Sequence, residues 1–136
     1  MAQVIIFSNS NGGVSVCYPS GNFPIEQVQA NDIPVGTQSY IVDASSLPVV
    51  DDDFFDAWEL SNGTVSVNLT KAKALTKARL RFEREPLLAA QDILFQRALE
   101  TNADTTAIVA EKTRLRNITN GVDTCTTTAQ LRALSV

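Results

Sequence analysis

Few residues in this 136-residue chain are equipped for chemistry. There is no histidine, so triads that use imidazole as the base are excluded. Cys17 and Cys125 stand far apart, in no metal-ligand or CxxC spacing, and neither has an adjacent activating base. The clustered carboxylates Asp51, Asp52 and Asp53 suit a hard cation by type. Their spacing, however, lacks the alternation, the glycine and the terminal glutamate of a calcium loop, so they are read as a solvated acidic loop. No glycine-rich phosphate loop or dinucleotide fingerprint occurs. The expectation is a non-enzymatic protein with no catalytic, cofactor or metal residues, and contact with other proteins is the chemistry that remains.

The elements that would position such a contact follow from charge and periodicity. Residues 1–68 hold eight acids and no base, whereas 69–136 hold seven acids and eleven bases, giving −8 and +4 around a formal net charge of −4. A mildly acidic whole does not fit a general nucleic-acid binder. Opposite charge on the halves favours attraction between them or self-association of copies, beside the plainer reading of two solvated faces. The apolar run Val4 to Phe7 is too short for a signal peptide or a membrane span. A soluble, reduced protein made inside a cell, with no membrane partner, is expected.

The front half reads as short strands. Val4–Phe7 and Val14–Tyr18 form a hairpin, Pro24–Ala30 a short helix, and Ser39–Asp43 a strand. Phe54–Leu60 and Thr64–Val67 are strands about the turn Asn62-Gly63. The rear half opens with NLTKAKALTKARLRFEREPLLAAQDILFQRALE, a long helical pattern capped by Asn68 or Thr70 and interrupted once, by Pro86. Proline should kink or split it across 82–85. At 100° per residue, Leu75, Ala78 and Phe82 share one side, and Lys73, Lys77, Arg81 and Arg84 form a cationic stripe. After the proline, Leu87, Leu88, Leu94, Phe95, Ala98 and Leu99 make a broad face that should be buried, with Ile93 off it. Asp104 or Thr105 caps a further helix to about Ile118, with Ile108, Leu115 and Ile118 as its apolar face, packed as an antiparallel helical hairpin. Thr127 and Gln130 form a capping box for a last short helix.

The fold class is therefore α+β: a small antiparallel β-rich part, then a helical part with a long proline-interrupted helix and a helical hairpin. The domains are 1–68, acidic and β-rich, and 69–136, helical. The segment RLRFEREPLLAAQDILFQRALE, anchored on Arg81, Arg84, Leu87, Leu88 and Asp92, joins Lys112, Leu115, Arg116 and the preceding AWEL and TVSVNLTKAKAL. Over about the last two thirds of the chain this pattern resembles small tailed-bacteriophage proteins of the tail-assembly chaperone and tail-fibre-assembly kind. The resemblance implies a virion or assembly protein that binds a phage tail or fibre protein, or the baseplate, through its helical region. It would be located in the virion tail, or in the host cytoplasm during assembly.

The partner-binding residues expected from the two readings together are Lys73, Lys77, Arg81, Arg84, Asp92, Ile93 and Arg116. Where that family ends in a Trp-Pro pair, this chain ends Ala133-Leu134-Ser135-Val136, which leaves room for a structural role instead of a chaperone role. A head-decoration or cement protein of the capsid, using the acidic sheet, and a small host-acting inhibitor are the alternatives.

Overall fold

The computed structural model describes residues 2–136. The chain divides into two compact units, Met1–Ala72 and Lys73–Val136, and each is described by itself.

In the first unit, β1 (Gln3–Ser8) lies between β2 (Val14–Cys17) and β3 (Ser39–Asp43), antiparallel to both. The β1–β2 turn is closed by Asn9, whose Oδ1 accepts from the backbone N–H of Asn11 and Gly13, each at 3.0 Å. Strand alternation sends Val4 and Ile6 to one face and Ile5 to the other, and all three are fully buried. Val4, Ile6 and Val14 pack with Leu47, Trp58 and Val65 into one core. Helix α1 (Ile25–Asp32) lies against β1 and is tied to β3 by the Gln29 amide, which donates to Ser39 Oγ at 2.9 Å.

A second, two-stranded sheet pairs β4 (Trp58–Ser61) with β5 (Thr64–Val67). Its turn places Asn62 and Gly63 at φ 49° and 83°, the two positive angles that a tight hairpin of this twist requires. A Cβ at Gly63 would sit 3.1 Å from the Tyr40 ring, so both conformation and space call for glycine there. One expectation is corrected here: 54–57 are not strand. Two 3₁₀ turns run together over Val49–Ala57, and β4 begins only at Trp58. The aromatic run suggested a strand. In the folded chain Phe54 and Ala57 turn inward, Phe55 tilts against Trp58 with ring centroids 4.9 Å apart, and the indole N–H donates to the Asp51 carbonyl at 3.1 Å. Burying the indole with its donor satisfied holds the turns in place.

Helix α2 (Leu69–Glu100) is continuous over 32 residues. Asn68 caps it, accepting from the Lys71 N–H at 3.0 Å, while its amide donates to Glu59. The expected split at Pro86 does not occur: the helix runs through the proline without interruption. Pro86 and Phe82 are both exposed, so the Phe82 carbonyl, which loses its partner to the proline, lies on the side open to water. The helix ends in a Schellman turn: Asn102, at φ 58°, donates to the Leu99 carbonyl and Ala103 donates to that of Ala98. After it come α3 (Thr106–Arg116), a 3₁₀ segment (Ile118–Thr124) and α4 (Thr128–Ala133), the last with the expected Thr127/Gln130 capping box. Leu80, Leu115, Val122 and Leu131 are fully buried and form the interior of the second unit with Thr76. Among the described residues no helix is long and apolar enough to cross a membrane.

Three measurements check this account. Leu115→Ala empties a fully buried site and should cost about 2–5 kcal/mol in urea unfolding. Pro86→Ala restores a helix donor at an exposed position and should raise stability by about 1–3 kcal/mol with an unchanged far-UV spectrum. The third is pH dependence. The Lys71 ammonium and then the Asn68 amide hold the Glu59 carboxyl below its ordinary 4.5, and Lys77 holds that of Asp123 below 3.8. A depressed folded value stabilises the native state above the ordinary value, and the contribution is lost as the pH falls through the folded one. Melting temperature should therefore drop below about pH 4.5, less steeply in a Glu59→Gln, Asp123→Asn variant.

Candidate protein-interaction surface

Helix α2 carries all the expected contact residues but Arg116, and the structure sorts them by what they touch. The buried side of its first turns is Ala72, Thr76 and Leu80, rather than the expected Leu75, Ala78 and Phe82. That line is half-buried at Leu75 and exposed at Ala78 and Phe82. The cationic side folds onto the chain's own C-terminal segment. Lys77 Nζ lies 2.8 Å from Asp123 Oδ1, and Lys73 Nζ donates to the Asp123 carbonyl at 3.3 Å. Arg79, which the sequence did not single out, donates to the carbonyls of Leu131 and Leu134 at 3.3 and 2.8 Å and pairs with Glu83 at 3.2 Å. Arg84 donates to the Leu115 and Arg116 carbonyls at 3.3 and 2.8 Å, placing a cation at the negative end of α3. Lys73, Lys77 and Arg84 thus hold the unit together.

Asp92 accepts from Lys112 Nζ at 2.6 Å, and the same ammonium lies 5.0 Å from the Phe95 ring centroid. This mostly buried lysine pins α3 alongside the distal part of α2. Arg81 and Arg116 have no polar side-chain partner among the described residues and are exposed, as is the apolar Ile93. Arg81, Leu88, Asp92 and Leu99 recur at steps of seven and four, one line on α2. Val109, Lys112 and Arg116, at steps of three and four, make one line on α3. The Lys112–Asp92 pair brings the two lines edge to edge, with Arg81 and Arg116 toward one end and Leu99 and Val109 toward the other.

The broad apolar face expected after Pro86 is only partly covered. Ala98 is buried and Leu88 and Phe95 half-buried, but Leu87, Leu94 and Leu99 remain 41%, 45% and 60% exposed, alongside Phe82 at 83%, Ile93 at 53% and Val109 at 46%. These side chains fall on different sides of the hairpin: Leu99 and Val109 on the flank with Arg81 and Arg116, Phe82 and Ile93 on another side of α2, and Leu87 and Leu94 on a third. The sequence pattern marked these leucines as apolar, yet it held no measure of how much of them α3 would cover.

Elsewhere the surface offers less. An open depression of about 360 Å³ in the first unit is lined by Ser8, Thr37, Gln38, Tyr40, Leu60, Ser61 and Asn62. Another of about 220 Å³ lies among Asn9, Asn11, Gly13, Val14, Phe55 and Asp56. Neither brings together the nucleophile and base, or the paired carboxylates, that chemistry would require. Cys17 and Cys125 are free thiols, half-buried and buried respectively. Among the described residues no group of three or more His, Cys, Asp or Glu side chains is arranged to hold a metal ion. Comparison of the chain with family models, with curated proteins and with solved structures finds no match.

Proposed function

We propose that this chain is a non-enzymatic binding protein of a bacteriophage tail, acting in the particle or in the host cytoplasm during assembly. It would dock a fibre or baseplate component on the helical hairpin of α2 and α3. The observation that carries the contact is the outward flank with Arg81 and Arg116 toward one end and exposed Leu99 and Val109 toward the other. Arginine is enriched at protein interfaces, and exposed apolar side chains supply area that binding can bury. The acidic half of the chain also leaves the hairpin as its main source of unpaired positive charge, which suits an acidic patch on the partner. The phage assignment rests on the resemblance of residues 79–100 and their neighbours to tail-assembly proteins.

The test has two readings. Purified particles encoded with this chain should hold a few to dozens of copies, or none if the chain binds an isolated tail component only during assembly. Hundreds would instead mean a capsid lattice protein and overturn the tail assignment. An Arg81→Glu, Arg116→Glu variant should keep its stability within about 0.5 kcal/mol, because both side chains are exposed and unpaired. Its affinity for the purified tail component should fall at least about tenfold at low salt. Unchanged affinity would remove this flank as the contact.

A further inference from the structure

The first unit holds a depression that the proposed tail contact does not use. Strand ends and a turn build it: Ser8 closes β1, Thr37 and Gln38 lead into β3, and Ser61 and Asn62 carry β4 into its hairpin turn. Tyr40 and Leu60, half-buried and packed against the core, form its inner part, while Ser8, Gln38, Ser61 and Asn62 stand exposed around them. Glycine at position 63 lets the turn lie against the Tyr40 ring. At about 360 Å³ the space is at the small end of small-molecule sites.

Two properties set this lining apart. Among the described residues, neither the hydroxyls of Ser8, Thr37, Tyr40 and Ser61 nor the carboxamides of Gln38 and Asn62 hydrogen-bond within the chain. Other polar side chains of the same unit, such as Asn9, Gln29 and Asp43, are used internally. Second, no Asp, Glu, Lys or Arg lines the depression, although residues 1–68 hold eight acids. We infer that it binds a neutral carbohydrate, one sugar ring at a time. A phosphate or carboxylate would find no cation there, and an ammonium no carboxylate, so a charged ligand would be desolvated without compensation. Hydroxyls and carboxamides both donate and accept, as the hydroxyls of a sugar do, so the rim matches such a ligand in either direction of each bond. The C–H face of the ring rests on Tyr40 and Leu60, where an aromatic ring and an aliphatic side chain offer apolar contact. The site belongs to the first unit, so it stands or falls independently of the tail contact.

The experiment follows the backbone amides of the full, isotope-labelled chain by NMR during titration with glucose, galactose, mannose and N-acetylglucosamine, each to about 50 mM. At least one sugar should move the amides of Gln38, Tyr40, Ser61 and Asn62 saturably, with a Kd of about 1–10 mM, the weak range of a small ligand in an open site. A Gln38→Ala, Ser61→Ala variant changes two exposed side chains, so the rest of its spectrum should stay native. Its affinity for that sugar should fall at least about fivefold. Glucuronate and glucosamine, which add a charge of either sign, should bind no more tightly than their neutral parents. No saturable shift with any of the four sugars would overturn the inference. Shifts confined to other parts of the chain, undiminished affinity in the double variant, or tighter binding of either charged sugar would overturn it as well.

Discussion

In the second unit one long helix is accompanied on one side only. Residues 73–100 of α2 extend about 40 Å at 1.5 Å per residue, and α3, eleven residues, covers about 16 Å of that. The 3₁₀ segment and α4 cover the beginning. Within this unit and among the described residues, the elements that accompany α2 pack on the side of Leu80 and Ala98. The exposed leucines, isoleucine and phenylalanine follow from this shortage of cover. A helix with apolar residues on sides its neighbours do not reach must present them to solvent or to another chain.

The same constraint explains where the cations went. The early part of α2 faces two short elements with few apolar residues, chiefly Val122 and Leu131. Lys73, Lys77 and Arg79 supplement that small interior by binding carbonyls and the Asp123 carboxylate at the ends of those elements. Hydrogen bonds from charged donors to backbone carbonyls at helix ends satisfy groups that would otherwise depend on water, and each bond removes a cation from the surface. Three of the four residues that read as a cationic stripe, Lys73, Lys77 and Arg84, are thereby internal cement. The positive charge that reaches outward is carried by Arg81, Arg97 and Arg116, which are farther along the arm or on α3.

Local signals were readable in the sequence wherever a single residue type does one job. Asn68 at the start of α2, Thr127 with Gln130 at the start of α4, and Asn62-Gly63 in the hairpin all act within a turn, so spacing alone identifies them. The α+β order was readable for the same reason, since strand and helix periodicities are local. Burial was not. Thr76 is polar by type yet buried, while Phe82 is large and apolar yet almost fully exposed. Which side of a helix faces inward depends on the elements that pack there, and α4 and the 3₁₀ segment arrive more than forty residues later. The run Phe54 to Trp58 failed for a related reason. Its aromatics suited a strand, but the indole found its acceptor at Asp51, and the acidic triplet was drawn into tight turns around it.

The position of Pro86 joins these threads. A proline facing α3 would have removed a helix hydrogen bond beside the hairpin's own packing, and the arm would have bent where Arg84 holds the end of α3. Facing outward, it frees the Phe82 carbonyl on the exposed side, away from α3. That outward side is also where Ala89 makes the surface shallow. A small residue between Pro86 and Ile93 permits close approach of another helix, as a bulky one would not. The outer face of the arm is thus low in the middle, apolar from Phe82 to Ile93 and polar beyond, at Gln96 and Glu100.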